Sequence, residues 1–169
     1  FQATLSEDRL RVARVAAALG CDVVWASAAG SARDEAWPQV DLDTLLATSD
    51  IVSLHAPLTE QSRGLIGTRE LALMKPGARL YNVARGGLVD EAALAAALLS
   101  GRLAAAGLDV FTDEPLAVDS PLLALNDPRR LLLTPHIAWS SRQARQRLVA
   151  GLAANIRAWQ NGERLNRVD

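Results

Sequence analysis

The feature that most restricts the fold of this chain is an alternation of short, uninterrupted apolar runs with longer segments of helical spacing. The runs at Asp22–Ala26, Ile51–His55, Arg79–Val83, Ala105–Val110 and Arg130–Thr134 have strand length, and their apolar residues follow one another directly. That pattern marks strands buried on both faces of a parallel sheet. Between the runs, Glu7–Leu19, Leu42–Thr48, Thr68–Met74 and Asp90–Ser100 read as helices. A last helix, Ser141–Gln160, carries Ala144, Leu148, Leu152 and Ile156 at four-residue steps, one apolar stripe on a polar, Arg-rich rod. Strand and helix in repeated alternation predict βαβ units and an α/β, doubly wound parallel sheet. Ser6 is a candidate N-cap with acidic residues in the first turn and Gly20 a stop; Asp90 caps the alanine-rich helix that ends near Gly101. Residues 28–38 form the one long loop, and no internal repeat is visible.

With 169 residues and 50% hydrophobic content, the chain can bury a core of its own. Eighteen basic against nineteen acidic residues leave a net charge of −1, so no bulk field recruits nucleic acid or a membrane surface. An anionic ligand must therefore meet local donors. The single cysteine, Cys21, cannot form an internal disulfide, no apolar run has membrane-spanning length, and a cytoplasmic home is the expectation. No metal is expected. The chain begins FQATLSEDRL, without a methionine, which suggests that residues once preceded Phe1.

In open parallel sheets, ligands bind outside the carboxyl ends of the strands. The residues at those ends are Ser27, then His55-Ala56-Pro57, then Ala84-Arg85-Gly86-Gly87, then Asp109 and Glu114, then His136. Both histidines of the chain fall directly after strands, where a packed or capping imidazole is the alternative to a functional one. His136 suits general acid/base work, because an imidazole titrates near neutral pH. Glu114, or its rival Asp113, is a carboxylate that would orient that imidazole and keep it protonated; a solvated acidic turn is the plainer alternative. Arg85 offers a permanently charged fork that matches a carboxylate, and Gly86 and Gly87 allow a turn and close ligand approach. An anion clamp, an orienting carboxylate and a proton carrier equip a site to interconvert a hydroxyl and a carbonyl beside a carboxylate. None of them carries hydride, so a nicotinamide cofactor is implied.

The segments SDIVSLHAPLTEQSRGLI, LMKPGARLYNVARGGLVDEAAL, AAAGLDVFTDEPL and LLLTPHIAWSSRQAR span most of Ser49 to Arg145. Together they resemble the D-isomer-specific 2-hydroxyacid dehydrogenases, which implies a Rossmann-like dinucleotide-binding fold. The resemblance implies that Arg85 binds the substrate carboxylate, that His136 is the acid/base and that Glu114 pairs with it. It also implies that His55, Ala56, Pro57, Val83, Ala84 and Asp109 line the nicotinamide half of the cofactor, and that Arg85, His136 and Ala138 belong to the cofactor-binding set. Trp139 in HIAW resembles the glycerate dehydrogenase and hydroxypyruvate or glyoxylate reductase branch more than the phosphoglycerate dehydrogenases.

Two departures from the family pattern follow. Where the family has a glycine-rich turn for the pyrophosphate, this chain has Thr4 to Arg9, TLSEDR, without a glycine and with Glu7 and Asp8 beside the ligand's charge. That stretch counts against close approach of a pyrophosphate, so cofactor binding through this turn is the point to be tested. Where an NAD-specific member places an acid for the ribose, this chain has Ser27, with Ser31 and Arg33 nearby, which favours NADP over NAD; a neutral loop without ligand is the alternative.

The expected organisation is a dinucleotide-binding domain over residues 1–139 and a C-terminal helix over 140–169 that would return to a substrate domain. No segment of the sequence reads as that substrate domain, so the expectation is a fragment or a truncated gene product with impaired turnover. The stripe on the last helix predicts self-association, as a homodimer. Two functions compete: reduction of a small 2-keto acid such as glyoxylate or hydroxypyruvate, and a non-catalytic oligomerising or partner-binding module.

Overall fold

The computed structural model describes residues 7–27 and 37–166, with side chains from residue 10 onward. It divides into two compact units, Phe1–Pro135 and His136–Asp169.

The first unit is an α/β, Rossmann-like assembly built on four parallel strands. These are β1 (Ile51–Leu54), β2 (Arg79–Asn82), β3 (Ala105–Leu108) and β4 (Leu131–Leu133), hydrogen-bonded in that order. Leu80 lies opposite Val52 on one side and Ala106 on the other. Each strand stops one or two residues short of its apolar run, so His55, Val83, Asp109, Val110 and Thr134 belong to the turns that leave the sheet.

The helices are α1 (Glu7–Ala18), α2 (Leu42–Thr48), α3 (Thr68–Leu73) and α4 (Glu91–Leu99). Asp41 caps α2 by accepting from the Thr44 N–H at 2.8 Å, and Asp90 caps α4 by accepting from Ala93 at 3.0 Å. At α3 the cap residue is Gly67, and Glu70 reaches back to accept from its N–H at 3.1 Å. The candidate cap Ser6 lies outside the described residues. Leu45 and Leu46 of α2, Leu71 of α3 and Leu94 and Leu98 of α4 share one buried core with Val52, Leu54, Leu80 and Leu108 of the sheet. Two guanidiniums close the helix ends on this side. Arg102 donates to the carbonyls of Ala72, at 2.6 Å, and of Met74; Arg130 donates to those of Leu98 and, at 3.2 Å, Leu103. Cations at those carboxyl ends oppose the helix dipoles.

Two expectations need correction. Asp22–Ala26 does not form a strand: it contributes an isolated parallel bridge between Trp25 and Gln39, with Trp25 donating to Pro38 at 3.1 Å and Val40 to Trp25 at 2.9 Å. Apolar composition supplies side chains for a strand, but a strand exists only where a neighbour offers a ladder. Nor are all strands buried on both faces. Burial alternates along β1 and β2, with Val52, Leu54, Leu80 and Asn82 turned to the core while Ile51 stays 55% and Tyr81 39% exposed. The Tyr81 ring lies over Gly107, where an added Cβ would come within 2.8 Å of it.

The second unit is dominated by α5 (Arg142–Gln160), capped by Ser141, whose Oγ accepts from Ala144 N–H at 3.2 Å. Leu148, Val149, Leu152, Ile156 and Trp159 are exposed along it. No described helix is long and apolar enough to cross a membrane.

Candidate functional site

The turn after β2 is held from below by a buried carboxamide. Asn82, 1% exposed, accepts from the Ala84 N–H through Oδ1 at 3.1 Å and donates through Nδ2 to the Arg85 carbonyl at 2.8 Å. Its own carbonyl accepts from the Asp109 N–H at 3.0 Å, which ties the ends of β2 and β3 together. The backbone around Arg85 is thus fixed while its side chain is exposed, with Nη1 donating to the Ala84 carbonyl at 2.6 Å. Among the described residues, Arg85 forms no ion pair.

Gly86 opens a short 3-10 turn, Gly86–Leu88. A Cβ there would lie 1.8 Å from the Phe111 carbonyl oxygen, so the glycine is required by the neighbouring backbone. The close approach expected of a ligand is made at Gly86 by the chain itself. Gly87 is less confined, with the Leu58 and Arg63 side chains 3.3 Å from where a Cβ would stand. The Gly87 and Leu88 carbonyls accept from Gly64 and Ile66 at 2.8 and 2.9 Å, anchoring the turn on the loop that follows β1.

After β3, Asp109 is buried and its Oδ1 accepts from the Thr134 hydroxyl at 2.5 Å. Glu114 folds back so that Oε1 accepts from the Phe111 N–H at 3.1 Å, and Glu91 of α4 holds the next amide, Thr112, at 2.7 Å. Phe111 therefore joins two predicted residues: its carbonyl packs on the glycine after Arg85 and its amide binds Glu114. Asp113, the rival of Glu114, is exposed. After β1, the His55 Nε2 and the Ser53 hydroxyl share a hydrogen bond of 2.9 Å, Ala56 is buried, and the Pro57 carbonyl accepts from Ser62 Oγ at 2.7 Å. A cavity of about 630 Å³ between α1, residues 20–25 and β1 reaches His55 but not Arg85 or Glu114.

His136 opens the second unit with a φ of 51°, a left-handed conformation uncommon for a side chain of this size. Its carbonyl accepts from the Trp139 indole N–H at 2.8 Å, and the Ile137 carbonyl accepts from the Ser140 hydroxyl at 2.6 Å. Ala138 is exposed in that turn. Ser27 is half-buried at the edge of the described chain. Arg33, Ser31, Thr4 to Ser6 and the side chains of Glu7, Asp8 and Arg9 lie outside the described residues, and with them the reading of the phosphate turn and much of the ribose site.

Sequence reasoning passed over Asn82, Glu91 and Thr134. Asn82 did carry a signal: a carboxamide inside an apolar strand is buried, and a buried amide must find partners. The hydrogen bonds of Glu91 and Thr134 join segments twenty or more residues apart, which no local pattern encodes.

The profile of the D-isomer specific 2-hydroxyacid dehydrogenase NAD binding domain matches residues 10–138. The chain belongs to this family. It is 45% identical over 130 residues to the glycerate dehydrogenase of Methylorubrum extorquens, a match covering 77% of this chain and 41% of the relative. With the glyoxylate/hydroxypyruvate reductase B of Erwinia tasmaniensis it shares 50% identity over 123 residues, 73% of this chain and 37% of that one. An acyclic imino acid reductase solved with NADPH and D-Arg superposes with a TM-score of 0.88 at 32% identity, covering 99% of this chain and 52% of the other. The 2-hydroxyacid dehydrogenase domain described here thus spans about two fifths to one half of the length of these proteins.

Proposed function

We propose that this domain serves the reduction of a small 2-keto acid, such as glyoxylate or hydroxypyruvate, to the 2-hydroxy acid, with NADPH favoured over NADH. The observation that carries the reading is Arg85: an exposed guanidinium on a fixed backbone at the end of a parallel strand, without an ion pair among the described residues. A guanidinium so placed takes a carboxylate through paired N–H donors, and the attraction it exerts on the adjacent carbonyl oxygen favours negative charge developing there.

The strand ends fit the nicotinamide half of the cofactor. Val83 offers an apolar, 47% exposed side chain, Ala84 a small one, and Asp109 a carboxylate oriented by Thr134. His55, Ala56, Pro57 and Ala138 would complete that lining. Nicotinamide supplies the hydride when bound. The imidazole of His136 delivers the proton to the carbonyl oxygen in reduction and recovers it in the reverse direction. Glu114 is the carboxylate assigned to orient that imidazole. Ser27, in place of an acid at the ribose position, supports the NADP preference, with Arg33 as the phosphate contact.

Titration with NADPH and NADH, followed by tryptophan emission and calorimetry, tests the cofactor half of the reading; turnover of glyoxylate tests the rest. Saturable micromolar binding with the tighter constant for NADPH is the expected result. Absence of binding at millimolar cofactor overturns it and leaves the second reading, a non-catalytic module in the cytoplasm. The exposed row Leu148, Leu152 and Ile156 favours that second reading and also a homodimer, which sedimentation measures directly.

A further inference from the structure

We infer that Asn82 is a positioning residue for Arg85, setting the strength with which that guanidinium takes a carboxylate. The inference rests on the reading of Arg85 as the carboxylate clamp.

Val83 to Arg85 make no regular structure, yet this short stretch has to present a long, flexible side chain in one direction. Asn82 spans it from beneath. Oδ1 takes the Ala84 N–H and Nδ2 reaches the Arg85 carbonyl, so a single planar amide fixes two peptide groups that flank the Ala84–Arg85 bond. A carboxamide is the group this task requires: one end must accept and the other must donate, and serine, aspartate or leucine cannot do both at that span. The residue is 1% exposed and belongs to the last register position of β2, opposite Leu54 and Leu108, so the bracket is itself held by strands on both sides. The Phe111 carbonyl also lies against Gly86, close enough that a Cβ there would stand 1.8 Å from its oxygen. Arg85 therefore pays little backbone entropy when it closes on an anion, because its φ and ψ are already fixed by these contacts.

A merely stabilising Asn82 would change how much of the chain is folded. A positioning Asn82 changes the dissociation constant of the folded state itself; because partial unfolding also raises the apparent constant, the titration is compared only where urea unfolding shows every variant fully folded. The probe is oxamate, a carboxylate beside a carbonyl, titrated into the 169-residue chain and followed by calorimetry and by the guanidinium nitrogen resonance of Arg85. Four proteins are compared: wild type, Asn82→Asp, Asn82→Ser and Arg85→Ala. Asn82→Asp keeps an acceptor for Ala84 and removes the amide donor to Arg85, and because a new carboxylate would also repel the anionic probe, Asn82→Ser, neutral and too short to bridge both groups, serves as its control and must show the same weakening.

The expected result is oxamate binding in wild type, its loss in Arg85→Ala, and a constant raised about tenfold in Asn82→Asp and in Asn82→Ser, tenfold being about 1.4 kcal/mol. If Asn82→Asp does not fold, Asn82→Ser alone carries the same expectation. Unchanged affinity in Asn82→Ser, with Arg85→Ala inactive in binding, overturns the inference and leaves the clamp reading intact. Equal behaviour of wild type and Arg85→Ala overturns the clamp reading, and the inference falls with it.

Discussion

Two stretches of this chain carry apolar runs and reach different ends. Arg79–Asn82 pairs on both sides, buries Leu80 and delivers a turn braced by Asn82 and Phe111. Asp22–Ala26 is the more apolar of the two and achieves only a bridge from Trp25 to Gln39. The difference teaches that hydrophobicity sets what a segment tolerates, while hydrogen-bonding neighbours set what it becomes. In this domain the fixed turn is the one that carries the candidate anion clamp, and the loosely paired segment ends at the candidate ribose position.

The contrast can be broken in graded ways. Gly86→Ala strikes the braced turn hardest, because the added Cβ would meet the Phe111 carbonyl at 1.8 Å and the backbone must move. A loss of about 3 kcal/mol or more in urea unfolding is expected; a value near zero would show that the turn is not pinned. Leu80→Ala, at a side chain with no exposure, should cost about 3 kcal/mol. Val23→Ala, half-buried in the loosely paired segment, should cost less than about 1 kcal/mol. Equal costs would erase the distinction between the two stretches.

Thr134→Val removes the hydroxyl that binds buried Asp109 and should cost about 1 to 2 kcal/mol by the same assay. The smallest effect concerns pH. Burial alone would raise the Glu70 pKa, but the Arg69 guanidinium and the Gly67 N–H outweigh it and hold the carboxyl below its ordinary value. A carboxyl lowered in the folded state stabilises above the ordinary carboxylate range, and that contribution is lost as pH falls through the lowered value. The urea midpoint of the wild type should therefore fall more steeply between about pH 5 and pH 3 than that of Glu70→Gln. Parallel slopes would remove Glu70 from the acid transition.

Much of the fold was legible because its signals are local. Leu42–Thr48 declares its helix by spacing and Asp90–Ser100 by a capping acid and an alanine-rich run, and four strands follow from apolar runs placed between helices. Arg85, Glu114 and His136 were legible as candidates because a strand-to-turn junction with a charged residue is visible in one dimension. What stayed hidden depends on approach between distant segments. Gly86 reads as room for a ligand until Phe111 is found against it, Asn82 reads as part of a strand until both its amide ends are accounted for, and the left-handed turn at His136 has no local glycine to announce it. The failed strand is the same lesson inverted, since its residues were right and the pairing it finds among the described residues is a single bridge to Gln39.

Tyr81, the sole tyrosine of the chain, faces Gly107 across the β2–β3 pair, and only a residue without a side chain leaves room for the ring there. Sliding β2 by one residue would turn its core face outward. Sliding it by two would set the ring against Ala105 or Asp109, where a side chain already stands. The aromatic plate and the bare backbone act as an alignment key: they admit one register, and that register is the one that brings Asn82 level with Leu108 and its carbonyl within reach of Asp109. The accuracy with which the two loops meet is thus encoded a residue below them, on the face of the sheet that points away from the core.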